Sequence, residues 1–139
     1  MLTLHIARRR GVHLARFTEV VTSAELEALD KVAVEFAAHD GPVHAIMDFS
    51  CAEAIALPET KILQRGRTPQ LMPGYKRIIV ASTFEQQALA RLFVAEQTRI
   101  GAKPPEIVSS VEAAFEWLDV AETDFEPLDW PVLQQGPAA

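Results

Sequence analysis

The chain opens with two segments in which apolar and polar residues alternate. Residues 2–8 and 12–18 both have this period of two, which is typical of β-strands with one face in solvent. Only residues 9–11 separate the two segments, and a connection this short suits a hairpin. The pattern therefore predicts that the fold begins with two antiparallel strands.

Two later segments are apolar with almost no alternation, namely residues 43–49 and 76–82. Continuous apolar runs of this length favour central strands that are covered on both faces. A further short strand is predicted at residues 106–108. Since parallel strands need crossover connections, the segments between these strands predict parallel pairing in the later half of the sheet.

Four helices are predicted. Capping boxes at Thr22 and Thr83 start the first and third helices, because a hydroxyl and a carboxylate or amide three residues apart satisfy free amides reciprocally. The second helix spans about residues 60–66 after a proline, and Ser109 with Glu112 is expected to cap the fourth. The buried stripe of the first helix is predicted to be Leu26, Leu29, Ala33, Phe36 and Ala37. The stripe of the third is predicted to be Ala88, Leu89, Leu92, Phe93 and Ile100.

The elements have the order β-β-α-β-α-β-α-β-α, which predicts one α/β domain with a mixed sheet of about five strands and four helices. The packed domain, residues 1–119, is expected to end near Asp119. Residues 120–139 form an acidic, proline-containing tail. We expect Trp130 to pack on the domain or on a second copy, because burying an indole stabilises by a few kcal/mol.

The formal net charge of −6 is concentrated at the C-terminal end. Residues 1–111 hold all 13 basic residues against 12 acidic ones, so this part carries a charge of +1. Residues 112–139 hold seven acidic residues and no basic one, which gives −7. Nucleic-acid binding needs a basic face that releases counterions, so this distribution argues against that function.

The chain has one cysteine, Cys51, so it cannot form an intramolecular disulfide. A free thiol favours a reducing compartment, and we expect a cytoplasmic protein. Arginines at positions 8–10 interrupt the mildly apolar start, which predicts no signal peptide. No apolar run approaches the roughly 20 residues that span a bilayer, so no transmembrane segment is expected.

The order of elements, with Asp48-Phe49-Ser50 ending the third strand ahead of a short helix, resembles the STAS or SpoIIAA-like fold. The likeness covers residues 1 to about 119 and rests mainly on architecture. This family includes bacterial anti-sigma-factor antagonists, and its fold is similar to that of Sec14-type lipid-binding domains. The resemblance implies a non-catalytic binding or regulatory module.

The sequence departs from the antagonist pattern at one place. In that family a kinase partner phosphorylates a serine in an Asp-Ser-Ser-Gly-like element at the start of the second helix. Residues 56–59, Ala-Leu-Pro-Glu, fall there, and neither Leu57 nor Pro58 can accept a phosphate. We therefore expect no phospho-switch of the usual kind. Thr60 lies nearby at a helix start, where a phosphate would be favoured electrostatically, although such threonines are common by chance.

The carboxyl ends of the third and fourth strands are expected to form a crevice for a protein partner or a small ligand. Its predicted residues are Asp48, Ser50, Cys51, Leu57 and Thr60. The alternative is a carrier of a lipid or small hydrophobic ligand, with a pocket lined by Ile55, Leu57, Leu71 and Met72.

A third hypothesis is a small hydrolase that uses Cys51 or Asp48. A nucleophilic cysteine needs a base, and His44 lies one strand length away, roughly 20 Å. Cys51 is more simply a thiol in a turn, and Asp48 a carboxylate that holds the next loop by accepting amide hydrogens. The sequence contains no Walker loop, Gly-x-Gly-x-x-Gly or Gly-x-Ser-x-Gly motif, so we expect no cofactor and no catalysis.

Histidines and basic residues suggest two further sites. The spacing of the four histidines does not match metal-ligand motifs, so no metal is expected. His5 and His13 are candidates to face each other across the first hairpin, but the favoured interpretation is that they are neutral or solvent-facing strand residues. Four basic residues lie within 13 positions and are predicted either to bind an anionic group or to receive the acidic tail, within the chain or across a homodimer. The alternative for these residues, Arg65, Arg67, Lys76 and Arg77, is a solvated rim.

Overall fold

The computed structural model describes residues 1–129, so the expected packing of Trp130 lies outside the described residues. The strands are β1 (Leu2–Ala7), β2 (Val12–Phe17), β3 (Glu19–Val21), β4 (His44–Asp48), β5 (Ala52–Ile55), β6 (Arg77–Val80), β7 (Glu106–Val108) and β8 (Glu126–Pro127). The helices are α1 (Ser23–Asp40), α2 (Glu59–Gly66), α3 (Phe84–Arg99) and α4 (Val111–Leu118), and a 3₁₀ turn spans Glu122–Asp124.

Six strands form a mixed sheet in the order β7-β6-β4-β2-β1-β8. Strand β1 is antiparallel to β2 and β8, whereas β2, β4, β6 and β7 are parallel. Ile46 of β4 lies opposite Ile78 of β6, so the two apolar segments are neighbours and point the same way. The predicted α/β fold, with an initial hairpin, a parallel later half and four helices, is confirmed.

Three short strands were not predicted. Strands β3 and β5 pair in parallel as a separate two-stranded sheet, and Ala56 N donates to Val21 O at 2.8 Å beside it. Strand β8 adds two residues to the edge of the main sheet. These strands have two to four residues with mostly exposed or half-buried side chains, too few for a periodic pattern to appear.

The sheet has a helix-covered layer on each face, and alternate residues of each strand belong to opposite layers. Ala15 and Phe17 of β2 pack with α1, and Ile79 of β6 packs with α3. Met47 of β4 contacts both groups, so α1 and α3 share one face. The other face packs against α4 through the cluster Val12, Leu14, Ile46, Ile78, Val80, Ala114 and Phe115.

The buried stripes of α1 and α3 differ from the predicted ones. In α1, Val32 is buried and Ala33 only half-buried. In α3, Ala88 and Ile100 are exposed, and the buried side chains include Gln86 and Gln97.

Polar partners explain the burial of the two glutamines. Gln86 Oε1 accepts hydrogen bonds from Ser82 N and Thr83 N at 2.9 and 3.4 Å, within the capping box. Gln97 Nε2 donates to Gly66 O and Thr68 O at 2.6 and 3.1 Å. A period based on apolar residues alone cannot detect glutamines that are buried because the backbone supplies their partners.

The predicted cap of α4 is wrong, and the candidate pairing of His5 with His13 is not formed. Ser110, not Ser109, caps α4, with its Oγ accepting from Ala113 N at 3.2 Å. The two serines are adjacent, so spacing alone did not separate them. His5 lies opposite Leu14 and His13 opposite Ile6, so the two histidines belong to opposite faces of the sheet.

The chain remains packed beyond Asp119. Phe125 stacks on Phe115 with ring centroids 5.3 Å apart, and Leu128 N donates to Leu4 O at 2.9 Å. Packed structure therefore continues through Leu128.

Two acidic residues in the C-terminal part lie near the first arginine cluster. Glu126 Oε1 accepts from Arg8 Nε at 2.9 Å, and Asp119 Oδ2 lies 3.8 Å from Arg10 Nη1. These two acidic residues thus contact the hairpin between β1 and β2, whereas the basic residues between positions 65 and 77 were one candidate site for the acidic tail.

Candidate functional site

The predicted crevice residues Asp48 and Ser50 fix the turn after β4. The Asp48 side chain is fully buried, and its Oδ1 accepts from Ser50 N at 2.9 Å and from Ser50 Oγ at 2.6 Å. Its Oδ2 accepts from Arg16 Nε at 3.1 Å. Asp48 therefore holds the following loop, the simpler of the two roles considered from the sequence.

The other crevice residues do not join Asp48. Cys51 is an exposed free thiol, and Thr60 is exposed in α2. Leu57 packs with the cluster under α1, whereas Asp48 alternates with Met47 and so belongs to the opposite face of the sheet. The five residues thus lie at one end of the sheet but on different faces, and they form no common crevice.

Two of the four residues of the predicted basic patch are engaged by carboxylates. Arg65 Nη1 and Nη2 donate to the two oxygens of Asp30 on α1 at 2.8 and 3.0 Å, a bidentate pair. Arg67 Nε donates to Glu96 Oε2 on α3 at 3.3 Å. These arginines join α2 and the residue after it to the neighbouring helices.

The other two basic residues contact neutral groups. Lys76 Nζ lies 5.8 Å from the centroid of the Trp117 ring. Arg77 Nη2 donates to Gln97 Oε1 at 2.9 Å and to Lys103 O at 2.7 Å. Each of the four side chains thus has its own contacts, and Arg65 and Arg77 both line the cavity described next.

A cavity of about 330 Å³ lies on the face of the sheet that carries α1 and α3. Its floor comes from β2, β4 and β6, through His13, Ala15, Ala45, Met47 and Arg77. Its walls come from Leu29, Asp30 and Ala33 of α1 and Phe93 of α3. Its roof is the loop after α2, through Gln70, Leu71, Met72 and Tyr75.

Small residues and a fixed loop explain why this space is not filled. Alanines occupy two floor positions and one wall position, where larger side chains would project into the cavity. The loop is tied down because Gln97 donates to Thr68 O, and Tyr75 N donates to Met72 O at 3.2 Å. Gly74 has a φ of +87°, which L side chains rarely adopt. The loop that forms the roof is therefore held in place by hydrogen bonds, both within the loop and to Gln97, and it stays separated from the floor.

A smaller cavity of about 70 Å³ adjoins the first, and the two share Met47, Arg65 and Phe93 as lining residues. Ile55 and Leu57 line the smaller cavity, whereas Leu71 and Met72 line the larger one. The four residues expected to line a hydrophobic pocket thus belong to two adjoining cavities on one face of the sheet.

His13, which the sequence suggested only as a neighbour of His5, is a buried residue of this site. It is only 5% exposed, its ring stacks on Phe36 with centroids 5.4 Å apart, and its Nε2 has no hydrogen-bond partner within residues 1–129. Burial lowers the pKa of His13 to about 4, so the ring is neutral at neutral pH. In the sequence, His13 alternates with Ala15 and Phe17, and this alternation is the signal that would have placed it on their face of the sheet.

Arg77 brings a positive charge to the same floor. Burial also lowers the pKa of Arg77 from its ordinary value, although an arginine remains protonated in proteins. The cavity thus combines a mainly apolar lining with a neutral imidazole, a guanidinium and the Asp30–Arg65 pair.

No protein-family model matches the sequence, and no curated protein matches it significantly. Within residues 1–129 there is no group of three His, Cys, Asp or Glu side chains arranged to hold a metal ion. In the same part of the chain, no helix has both the length and the apolar character that crossing a bilayer requires.

Proposed function

We propose that the protein is a non-catalytic, STAS-like binding module that holds a small, mainly apolar ligand between its sheet and the loop after α2. The 330 Å³ cavity carries this proposal. Pockets for small molecules have volumes of roughly 300–1,000 Å³ and combine an apolar lining with a few polar groups, as this cavity does. Packed interiors otherwise contain few voids larger than a water molecule.

The resemblance to the STAS or SpoIIAA-like family supports the same function, because that fold is similar to Sec14-type lipid-binding domains. A ligand held under the loop after α2 also gives a regulatory module a way to respond to a metabolite. The single cysteine favours a reducing compartment, and we propose a cytoplasmic location.

The hydrolase hypothesis receives less support from the site. Asp48 is used in the turn after β4 and belongs to the face of the sheet opposite the cavity. Cys51 is exposed in that turn and is absent from the lining of the cavity. Neither residue therefore acts on a molecule bound in the cavity.

Binding of an uncharged apolar probe tests the proposal. We expect the fluorescence of N-phenyl-naphthylamine to rise on saturable binding to the wild-type protein. Native mass spectrometry of protein purified from several hosts should show a bound apolar metabolite.

The matched variants are Ala45→Leu, which fills the floor of the cavity, and Ala88→Leu, which adds the same atoms on the exposed face of α3. We expect about tenfold or greater weakening of probe binding in the first variant and no change in the second, because only the first displaces ligand volume. A clean apo mass together with no saturable probe binding by the wild type would contradict the proposal.

A further inference from the structure

Three residues of the cavity floor lie in one row across the sheet. His13 of β2 is opposite Ala45 of β4, and Ala45 is opposite Arg77 of β6. Neighbouring strands are about 4.8 Å apart, so the backbones at His13 and Arg77 are separated by about 10 Å. Ala45 lies between them in this row and has only a methyl group, which leaves a gap in the floor.

Arg77 lacks a negative partner in the part of the chain that the structure describes. Its hydrogen bonds go to neutral acceptors, Gln97 Oε1 and Lys103 O, and no carboxylate of the described residues lies within 4.0 Å of it. By contrast, Arg65 and Arg67 of the same region each pair with a carboxylate. A half-buried cation without a counterion is costly, so an anion at this position would be bound favourably.

The ring of His13 lies on the other side of the gap. Its unpartnered Nε2 belongs to a side chain that is more than nine-tenths buried and lines the cavity. This nitrogen has less than 1 Å² of accessible surface, so the ring forms a neutral wall of the gap and Nε2 does not contact a ligand there. One cation and one neutral ring together fit a group with a single negative charge.

We propose that the ligand is a monocarboxylic acid with an apolar body, whose carboxylate binds to Arg77 above Ala45, beside the neutral ring of His13. The apolar body extends past Met47 into the smaller cavity beside Leu57. This inference rests on the proposed function and names the ligand class of the same site. The Asp30 carboxylate, which is paired with Arg65 in the cavity wall, disfavours head groups with two negative charges.

Displacement of N-phenyl-naphthylamine by ligands that share one chain but differ in head group tests this inference on the wild-type protein. Decanoate, decanol, decylamine and decyl phosphate are compared at constant ionic strength. We expect decanoate to bind about tenfold or more tightly than decanol, because a charge-assisted hydrogen bond replaces a neutral one. Decylamine is expected to bind more weakly than both.

Variants then test which residues bind the head group of the ligand. Arg77→Gln should weaken decanoate binding about tenfold or more and leave decanol binding unchanged. Arg91→Gln is the matched control, because Arg91 is an exposed arginine on α3 that does not line either cavity. His13→Leu should leave the preference for decanoate over decanol unchanged, because His13 Nε2 does not reach the ligand.

The outcomes separate the two proposals. Saturable probe binding with equal affinities for decanoate and decanol, or with decyl phosphate or decylamine preferred, overturns the carboxylate assignment and leaves the binding function standing. No probe binding at all overturns both. The head-group comparison uses the wild-type protein, so it decides the question even when Arg77→Gln fails to fold.

Discussion

Replacing the buried carboxylate of Asp48 by alanine tests whether this residue is structural. The substitution removes the acceptor of two hydrogen bonds from Ser50 and one from Arg16. Removing one partner of a buried ion pair costs about 3–5 kcal/mol, because the remaining charge is left buried and unpaired. Arg16 keeps 29% of its side chain exposed, which allows partial rehydration, so we expect a loss of about 3 kcal/mol.

Urea denaturation followed by circular dichroism measures this loss as a change in the free energy of unfolding. Domains of this kind are stable by about 5–15 kcal/mol, so the variant should still fold with a clearly lower midpoint. Asp40→Ala is the control, because Asp40 is exposed at the end of α1, and we expect a change within about 0.5 kcal/mol.

A double-mutant cycle divides the loss between the two partners of Asp48. Arg16→Met in the wild type and in Asp48→Ala should reveal a coupling energy of about 1–3 kcal/mol between the side chains. The hydrogen bonds to Ser50 account for the remainder. A free energy of unfolding for Asp48→Ala within about 0.5 kcal/mol of the wild-type value would refute the structural role, because a buried acceptor cannot be deleted without cost.

Three further substitutions test the packing. Gly66→Ala places a methyl 2.6 Å from Glu96 Cβ, so we expect thermal denaturation to show a loss of about 1–3 kcal/mol; an unchanged melting temperature would contradict the close approach of α2 and α3. His13 has a pKa lowered to about 4, so the folded state resists its protonation; stability should fall by about 3 kcal/mol as pH drops from 6.5 to 4, and His13→Gln should remove that component, whereas equal pH slopes would disprove it. Phe125→Ala removes a ring stacked on Phe115, and urea denaturation should show a loss of about 2 kcal/mol; no loss would mean that this segment contributes nothing to the fold.

The main elements of the fold could be predicted because their signals are local and strong. The continuous apolar runs at 43–49 and 76–82 become the adjacent parallel strands β4 and β6. The capping boxes at Thr22 and Thr83 are both present, with the hydroxyl and the third residue of each helix bonded reciprocally. Such signals depend on neighbouring residues in the sequence, so contacts with distant residues do not change the elements that they predict.

The strands at the edges of the fold pair with residues that are distant in the sequence. The local sequence therefore indicates them only weakly. Strand β8 forms because its two residues pair with the free edge of β1, where Arg8 and Glu126 also form an ion pair. Nothing within Glu126 and its neighbours shows this pairing. The predicted boundary near Asp119 was placed at the end of the fourth helix, where an acidic, proline-containing stretch begins, whereas Phe125 and Leu128 beyond it pack on the domain.

The candidate site was predicted in part. Reasoning from strand ends brought Asp48 and Leu57 to the same end of the sheet, but it did not assign them to faces. Alternation along β4 supplies that assignment once the face of Met47 is known. The row of His13, Ala45 and Arg77 needs the register of three strands, which only the assembled sheet provides.

Gln97 shows how one residue connects the parts of the cavity. Its Oε1 accepts from Arg77 on the floor, and its Nε2 donates to Gly66 O and Thr68 O, where the roof begins. The side chain is almost completely buried, so these bonds are made in a low-dielectric environment where polar partners are costly to lose. The same amide thus positions the guanidinium on the floor and the loop that covers the cavity. The predicted inner face of α3 is apolar, but position 97 needs a polar residue. The hydrogen bonds of Gln97 hold the floor and the roof of the cavity in place.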